Sequence, residues 1–184
     1  MNQDWEAKQA IRAAQARALQ TEYPHLVPAN GNALIAAAKN VRIELATAFP
    51  GVKFSVKTSR FSMGNDLRVS WTDGPNTKQV DAIIDKYSAG SFDGMTDSYT
   101  YAHDVWTDAF GEAKYVFSTR HYSDRVIESV MGRICRHFGG IETMPTLEDY
   151  KQGRLWNVKQ SRGCDMSREI NIALQKHTCS VGQS

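Results

Sequence analysis

The stretch R68-VSWTDGPNTKQVDAI-I84 places an alternating apolar strand, a dense turn and an amphipathic helix within seventeen residues. Leu67, Val69 and Trp71 alternate with Arg68, Ser70 and Thr72, the period-two pattern of a strand with one buried and one polar face. Asp73-Gly74-Pro75 is turn chemistry, because Asp bonds its neighbouring backbone and Pro cannot extend a central strand. Asn76 with Gln79 three residues on has the form of a capping box. Val80, Ile83, Ile84 and Tyr87 then give a helical apolar stripe. A strand that turns sharply into a helix packing back on the sheet makes Trp71 a core anchor.

Working outward, the same alternation precedes this strand. Val52, Phe54 and Val56 alternate with Lys53, Ser55 and Lys57, so the two runs form a hairpin with one apolar and one polar, basic side. Thr58 to Asp66 read as a connection longer than the tightest hairpin turn. KYVFST, residues 114–119, reads as a third strand, and a short strand is predicted at 155–158. Helices are predicted over 3–20, 32–48 and 124–138, the last capped by Ser123 and ended by Gly139-Gly140, with a final helix after Asp165. Trp5, Ile11 and Leu19 form a thin stripe on the first helix, which Pro24 and Pro28 separate from the rest. The expected class is α+β: a small antiparallel sheet packed against helices on one face, with an N-terminal helical arm. The expected organisation is an arm and linker over 1–31 and one α+β domain over 32–184.

Composition narrows the function. The 184 residues carry 22 Lys/Arg and 20 Asp/Glu, a net charge of +2 that demands no nucleic acid by itself. The charges are unevenly spread: 51–72 hold four basic and one acidic residue, and 73–113 two basic and eight acidic. Opposite surfaces of opposite sign follow, with consequences for partners. No apolar run approaches a membrane span, the start MNQDWEAKQA has no secretory pattern, and three cysteines fit no paired framework. A cytoplasmic chain with reduced thiols is the expectation.

Two candidate surfaces emerge. Lys53, Lys57, Arg60 and Arg68 share the polar side of the hairpin and suit phosphates or an acidic protein. The helix over 124–138 adds Arg125, Arg133 and Arg136. The other surface is the stretch after Gly90, SFDGMTDSYTYAHDVWTDAFGEA, read as a long acidic loop with a short helix, where Asp93, Asp97, Asp104 and Asp108 concentrate negative charge beside His103. Its spacing fits no calcium loop. His121 ends the third strand without an identifiable nucleophile, and Cys164, His177 and Cys179 lack the spacing of a zinc site. No phosphate-cradling loop, HExxH or G-x-S-x-G occurs, so no catalytic residue, metal or cofactor is assigned.

Three motifs together, KFSV at 53–56, VSWTDGP at 69–75 and FDGMTD at 92–97, resemble the twenty-ninth member of the large polyvalent protein-associated domain series. The resemblance runs from about 33 to 140, through AKYVFSTRHYSD, and PTLEDYKQGRLW has the look of a family-type tail. The family's Gly-Gly or Gly-Ser hairpin turn is replaced here by Met63-Gly64-Asn65-Asp66. The resemblance implies a phage or conjugative-element setting alongside anti-restriction and nucleic-acid handling, and it carries no catalytic set. The leading expectation is a non-enzymatic accessory protein that binds a host protein or ribonucleoprotein complex as an anti-CRISPR or anti-restriction inhibitor. The alternative is a DNA- or RNA-binding protein acting in transfer or establishment. A third is a metal-dependent enzyme built on the acidic loop.

Overall fold

The computed structural model describes residues 2–93, 95, 98–101, 104–158, 163 and 165–178. The chain is α+β and divides into two compact units, residues 1–71 with 78–119 and residues 72–77 with 120–184.

The first unit is organised around a three-stranded sheet, ordered β1-β2-β5, of β1 (Phe54–Phe61), β2 (Gly64–Thr72) and β5 (Tyr115–His121). β1 and β2 pair antiparallel from Phe54↔Trp71 to Phe61↔Gly64. That register leaves Ser62 and Met63 as the whole hairpin connection, so the expected long loop is instead strand on both sides of a two-residue tip. The sheet is mixed rather than wholly antiparallel. β5 follows β2 in the same direction: the Lys114 N–H reaches Asn65 Oδ1 at one end, and the Asp73 N–H bonds His121 O at the other.

Alternation along β2 sorts its side chains. Leu67, Val69 and Trp71 are buried with Val56 against α2 (Ala33–Ala48) and against Val80, Ile84 and Tyr87 from α3 (Thr77–Ile84) and its 3₁₀ extension Asp85–Tyr87. Trp71 is thus the core anchor that its position in the sequence predicts. Asn32 caps α2 by accepting the Ile35 N–H.

The stretch after Gly90 is not a long loop. It contains an antiparallel pair, β3 (Gly90–Asp93) with β4 (Ser98–Tyr101), followed by α4 (Val105–Phe110). The N-terminal helix α1 (Asn2–Glu22) is packed as well. Its buried residue is Ala16, with Leu19 and Tyr23 against the core, whereas Trp5 and Ile11 of the predicted stripe are exposed. Arg12 pairs with Asp108 at 2.5 Å, and Gln20 Nε2 donates to Ala109 O, which ties α1 to α4.

One buried amide pins this arrangement. Asn40 of α2 is fully enclosed; its Oδ1 accepts the Val27 N–H at 2.7 Å, and its Nδ2 donates to Val27 O and Phe110 O at 2.8 and 2.9 Å. Immediately beyond α4, Gly111 has φ +91°, and a Cβ there would lie 2.1 Å from Ala33 O. Only glycine permits that approach. Nearby, Glu44 accepts from Lys86 Nζ and from the Tyr87 hydroxyl, both at 2.6 Å, with Lys86 4.1 Å above the Trp106 ring. Burial and then the Glu44 contact push the Tyr87 phenol above its ordinary range.

The second unit joins residues 72–77 to helices α5 (Asp124–Phe138), α6 (Leu147–Lys151) and α7 (Met166–Lys176). Val126, Ile127, Val130 and Met131 of α5 meet Met166, Ile170 and Leu174 of α7, with Leu155 beside them. Ser123 caps α5 and Asp165 caps α7, as their sequence positions predict. Residues 155–157 form a 3₁₀ turn rather than a strand, because Leu155 joins this helical core and finds no strand partner there. Asp73 and Gly74 both take positive φ, the former unusual for a non-glycine residue. Arg120 fixes that turn: its Nε and Nη2 donate to Asp73 O and Gly74 O, and Nη1 to Leu174 O. Asp73 Oδ1 in turn accepts the Ser123 N–H.

Asn40→Ala removes three hydrogen bonds from a fully enclosed side chain to the backbone at Val27 and Phe110, so it is expected to lower stability by about 3 kcal/mol, read as a shift in the urea unfolding midpoint. Lys39→Ala, an exposed neighbour on the same helix, is expected to shift it by less than about 0.5 kcal/mol. Equal effects from the two would contradict the assignment of Asn40 as a pin.

Candidate functional site

The sheet has one face packed on the core and one turned outward. On β1 the outward residues are Ser55, Lys57, Ser59 and Phe61, and on β2 they are Asp66, Arg68 and Ser70, paired Ser55↔Ser70, Lys57↔Arg68 and Ser59↔Asp66. On β5 the ring contacts place Tyr115 and Phe117 on this side, while Val116 packs against the core. The face therefore carries two kinds of group, cations and aromatic rings.

The aromatics form a row. Phe61 and Tyr115 have ring centroids 6.2 Å apart at 18°, and Tyr115 and Phe117 are 6.2 Å apart at 11°. Phe61 and Phe117 are 45% and 48% exposed, an uncommon cost for large apolar side chains on a strand with a buried face to use. Beside the row, Arg68 sits 5.7 Å over the Phe117 ring and Lys114 Nζ 5.4 Å over Tyr115. Lys114 also donates to Met63 O at the hairpin tip.

Arg68 is held in place from below. Its Nε and Nη2 donate to Asp66 Oδ2 at 2.9 and 2.7 Å, yet the Arg68 side chain is 65% exposed while that of Asp66 is 4%. The second carboxylate oxygen, Asp66 Oδ1, is buried without a hydrogen-bond partner. A buried carboxylate with one oxygen unsatisfied costs stability and keeps its attraction for the one cation above it. The result is an outward-facing guanidinium whose position is fixed while its remaining donors meet solvent.

The sequence candidates distribute as follows. Lys57 and Arg68 come together on the outward face, directly opposite in register. Lys53 is exposed just before β1. Arg60 does not join them: it alternates with Phe61 and lines a groove with Asn32, Met63, Asn65 and Lys114. Asp104 caps α4 by accepting the Trp106 N–H, and Asp108 is engaged by Arg12. Asp93 ends β3, and nothing is described of its side chain; Asp97, His103, Cys164 and Cys179 lie outside the described residues. The aromatic row escaped the sequence reading. Its signal was present in KYVFST, where Tyr115 and Phe117 alternate with Val116, the reverse of a strand that hides its aromatics.

In the second unit, Arg125, Arg133 and Arg136 are exposed on α5, His121 is exposed, and burial raises the Cys135 thiol above its ordinary value. No helix among the described residues is long and apolar enough to cross a membrane.

Residues 33–123 match the family model described as Large polyvalent protein associated domain 29. This region is a member of that family. The matched region begins at α2, contains the whole three-stranded sheet and stops at the cap of α5, so the outward face lies inside the family domain and α5 to α7 lie beyond the match. No curated protein and no solved structure gives a significant match.

Burial, then the charges of Arg133 and Arg120, lowers the His177 imidazole below its ordinary 6.5. The folded chain thus binds that proton less readily than the unfolded chain. The associated stability is intact above about pH 6.5 and is lost as pH falls through the lowered value. An NMR pH titration is expected to place His177 below 6.5 and to show Arg133→Ala moving it upward. A native value at or above 6.5 would contradict this.

Proposed function

We propose that the chain is a non-catalytic accessory protein of a mobile genetic element and that it binds nucleic acid through the outward face of its sheet. The observation that carries this reading is the pairing of Lys57 and Arg68 across β1 and β2 beside an exposed aromatic row. Exposed Lys and Arg make charge-assisted hydrogen bonds to phosphate oxygens, and a guanidinium held by a carboxylate beneath it keeps donors aimed outward. Of the four basic residues in the segment 51–72, Lys57 and Arg68 lie on this face, and the one acidic residue, Asp66, is buried under Arg68.

A counter-defence inhibitor acting as an acidic imitation of nucleic acid draws less support. Of the four acidic candidates, Asp108 is paired with Arg12 and 38% exposed, whereas Arg68 keeps 65% of its side chain exposed above its own partner Asp66. Binding to a host ribonucleoprotein remains compatible with the basic face, through the nucleic-acid component of such a complex.

Fluorescence anisotropy with a labelled mixed-sequence oligonucleotide tests the reading. Affinity is expected to fall steeply between about 50 and 200 mM salt. The double variant Lys57→Glu/Arg68→Glu is expected to weaken binding at least about tenfold and to flatten the salt slope by roughly two units. Lys39→Glu reverses a single charge, half the change of the double variant, on α2, which packs on the core side of the sheet, and is expected to bind as the parent does. No binding at low salt, or equal loss from Lys39→Glu, would overturn the proposal.

A further inference from the structure

The outward face carries more detail than a basic patch, and the row of rings indicates which form of nucleic acid it takes. Resting on the nucleic-acid reading above, we propose that the face binds a single strand, with bases laid on Phe61, Tyr115 and Phe117 and backbone phosphates on Lys57 and Arg68.

The first argument is exposure. A duplex buries the faces of its bases against one another, so exposed aromatic rings gain nothing from them; a single strand offers those faces freely. Phe61 and Phe117 expose nearly half their surface, on a face that also carries Ser55, Ser59 and Ser70.

Spacing supplies the second argument. Successive ring centroids are 6.2 Å apart and the rings are within 18° of parallel. Stacked bases along one duplex strand rise by roughly 3.4 Å. Bases seated on successive rings would therefore stand at nearly twice the duplex separation, a geometry open only to an unstacked, extended strand. The row crosses from β1 to β5, so the bound strand would run across the sheet rather than along one strand of it.

Third, cations accompany the rings. Arg68 lies 5.7 Å over the Phe117 ring, and Lys57 lies across the register from Arg68. A chain whose bases face the row presents its phosphates toward these two residues. The support is rigid: Leu67, Val69 and Trp71 fix β2 from the core side, and Asp66 fixes Arg68. Little ordering cost then falls on the protein at binding.

The test compares a labelled single strand of about 12 nucleotides with the same sequence as a duplex, for the parent and for Phe61→Ala, Phe117→Ala and Lys57→Glu/Arg68→Glu. Phe61 and Phe117 are exposed, so their variants are expected to keep the parental circular dichroism and unfolding midpoint. The proposal expects the single strand to bind at least about tenfold tighter than the duplex. Each Phe→Ala change is expected to lose about tenfold for the single strand, with the salt slope unchanged and duplex binding unaffected. Equal affinity for both forms, or full retention of single-strand binding in the Phe variants while the charge variant loses it, would overturn the single-strand assignment and leave the nucleic-acid reading standing. Failure of the parent to bind either form would overturn both.

Discussion

The central strand of a small sheet must serve two surfaces at once, and every other feature of the first unit follows from how β2 does so. Leu67, Val69 and Trp71 face α2 and the helical turn ending in Tyr87; Asp66, Arg68 and Ser70 face outward. Because side chains alternate strictly, a register slip of one residue would place Arg68 in the core and Trp71 in solvent. Trp71 and its neighbours therefore do more than fill space. They lock the register that sets Lys57 opposite Arg68 and brings Phe61 alongside Tyr115.

Asp66 shows how that constraint reaches the surface. A carboxylate on the outward side of a central strand is expensive unless paired, and here it is paired through one oxygen only. What the arrangement provides is a fixed Arg68. On the opposite side of the sheet, the Asn40 amide joins α2 to the backbone at Val27 and Phe110, and Gly111 lets the chain leave α4 against the start of α2. These are architectural polar contacts, enclosed and satisfied, in contrast to the open donors of the outward face.

Much of this was legible in the sequence wherever one period dominated. β2 declared itself because five consecutive alternations end at an Asp-Gly-Pro turn, and α5 because Ser123 and Gly139 bracket a clean helical stripe. The hairpin tip was misread because Thr58, Ser59 and Arg60 are polar on both faces, which in isolation is the signature of a loop. β3 and β4 were hidden by their length, four residues each. The direction of β5 is a long-range property: only a crossover through α3 and α4 brings Lys114 beside Asn65. Arg60 was assigned to the wrong face for the same reason as the tip, since parity counts only where the strand is known to continue. The aromatic row depends on neighbours 54 residues apart in the chain, Phe61 and Tyr115, and no local pattern can reveal that adjacency.

Function divides along the same line. Within the matched residues 33–123, VSWTDGP is architectural: a buried Trp71, a turn at Asp73 and Gly74 gripped by Arg120. The surface assigned to binding lies on other side chains, Lys57, Phe61, Arg68, Tyr115 and Phe117. The most direct measurement is photo-crosslinking of a single-stranded oligonucleotide to the intact protein, with the attachment sites located by peptide mass spectrometry. Attachment at Phe61, Tyr115 or Phe117 is the predicted result. Attachment confined to the arginines of α5, or none at all, would contradict the account.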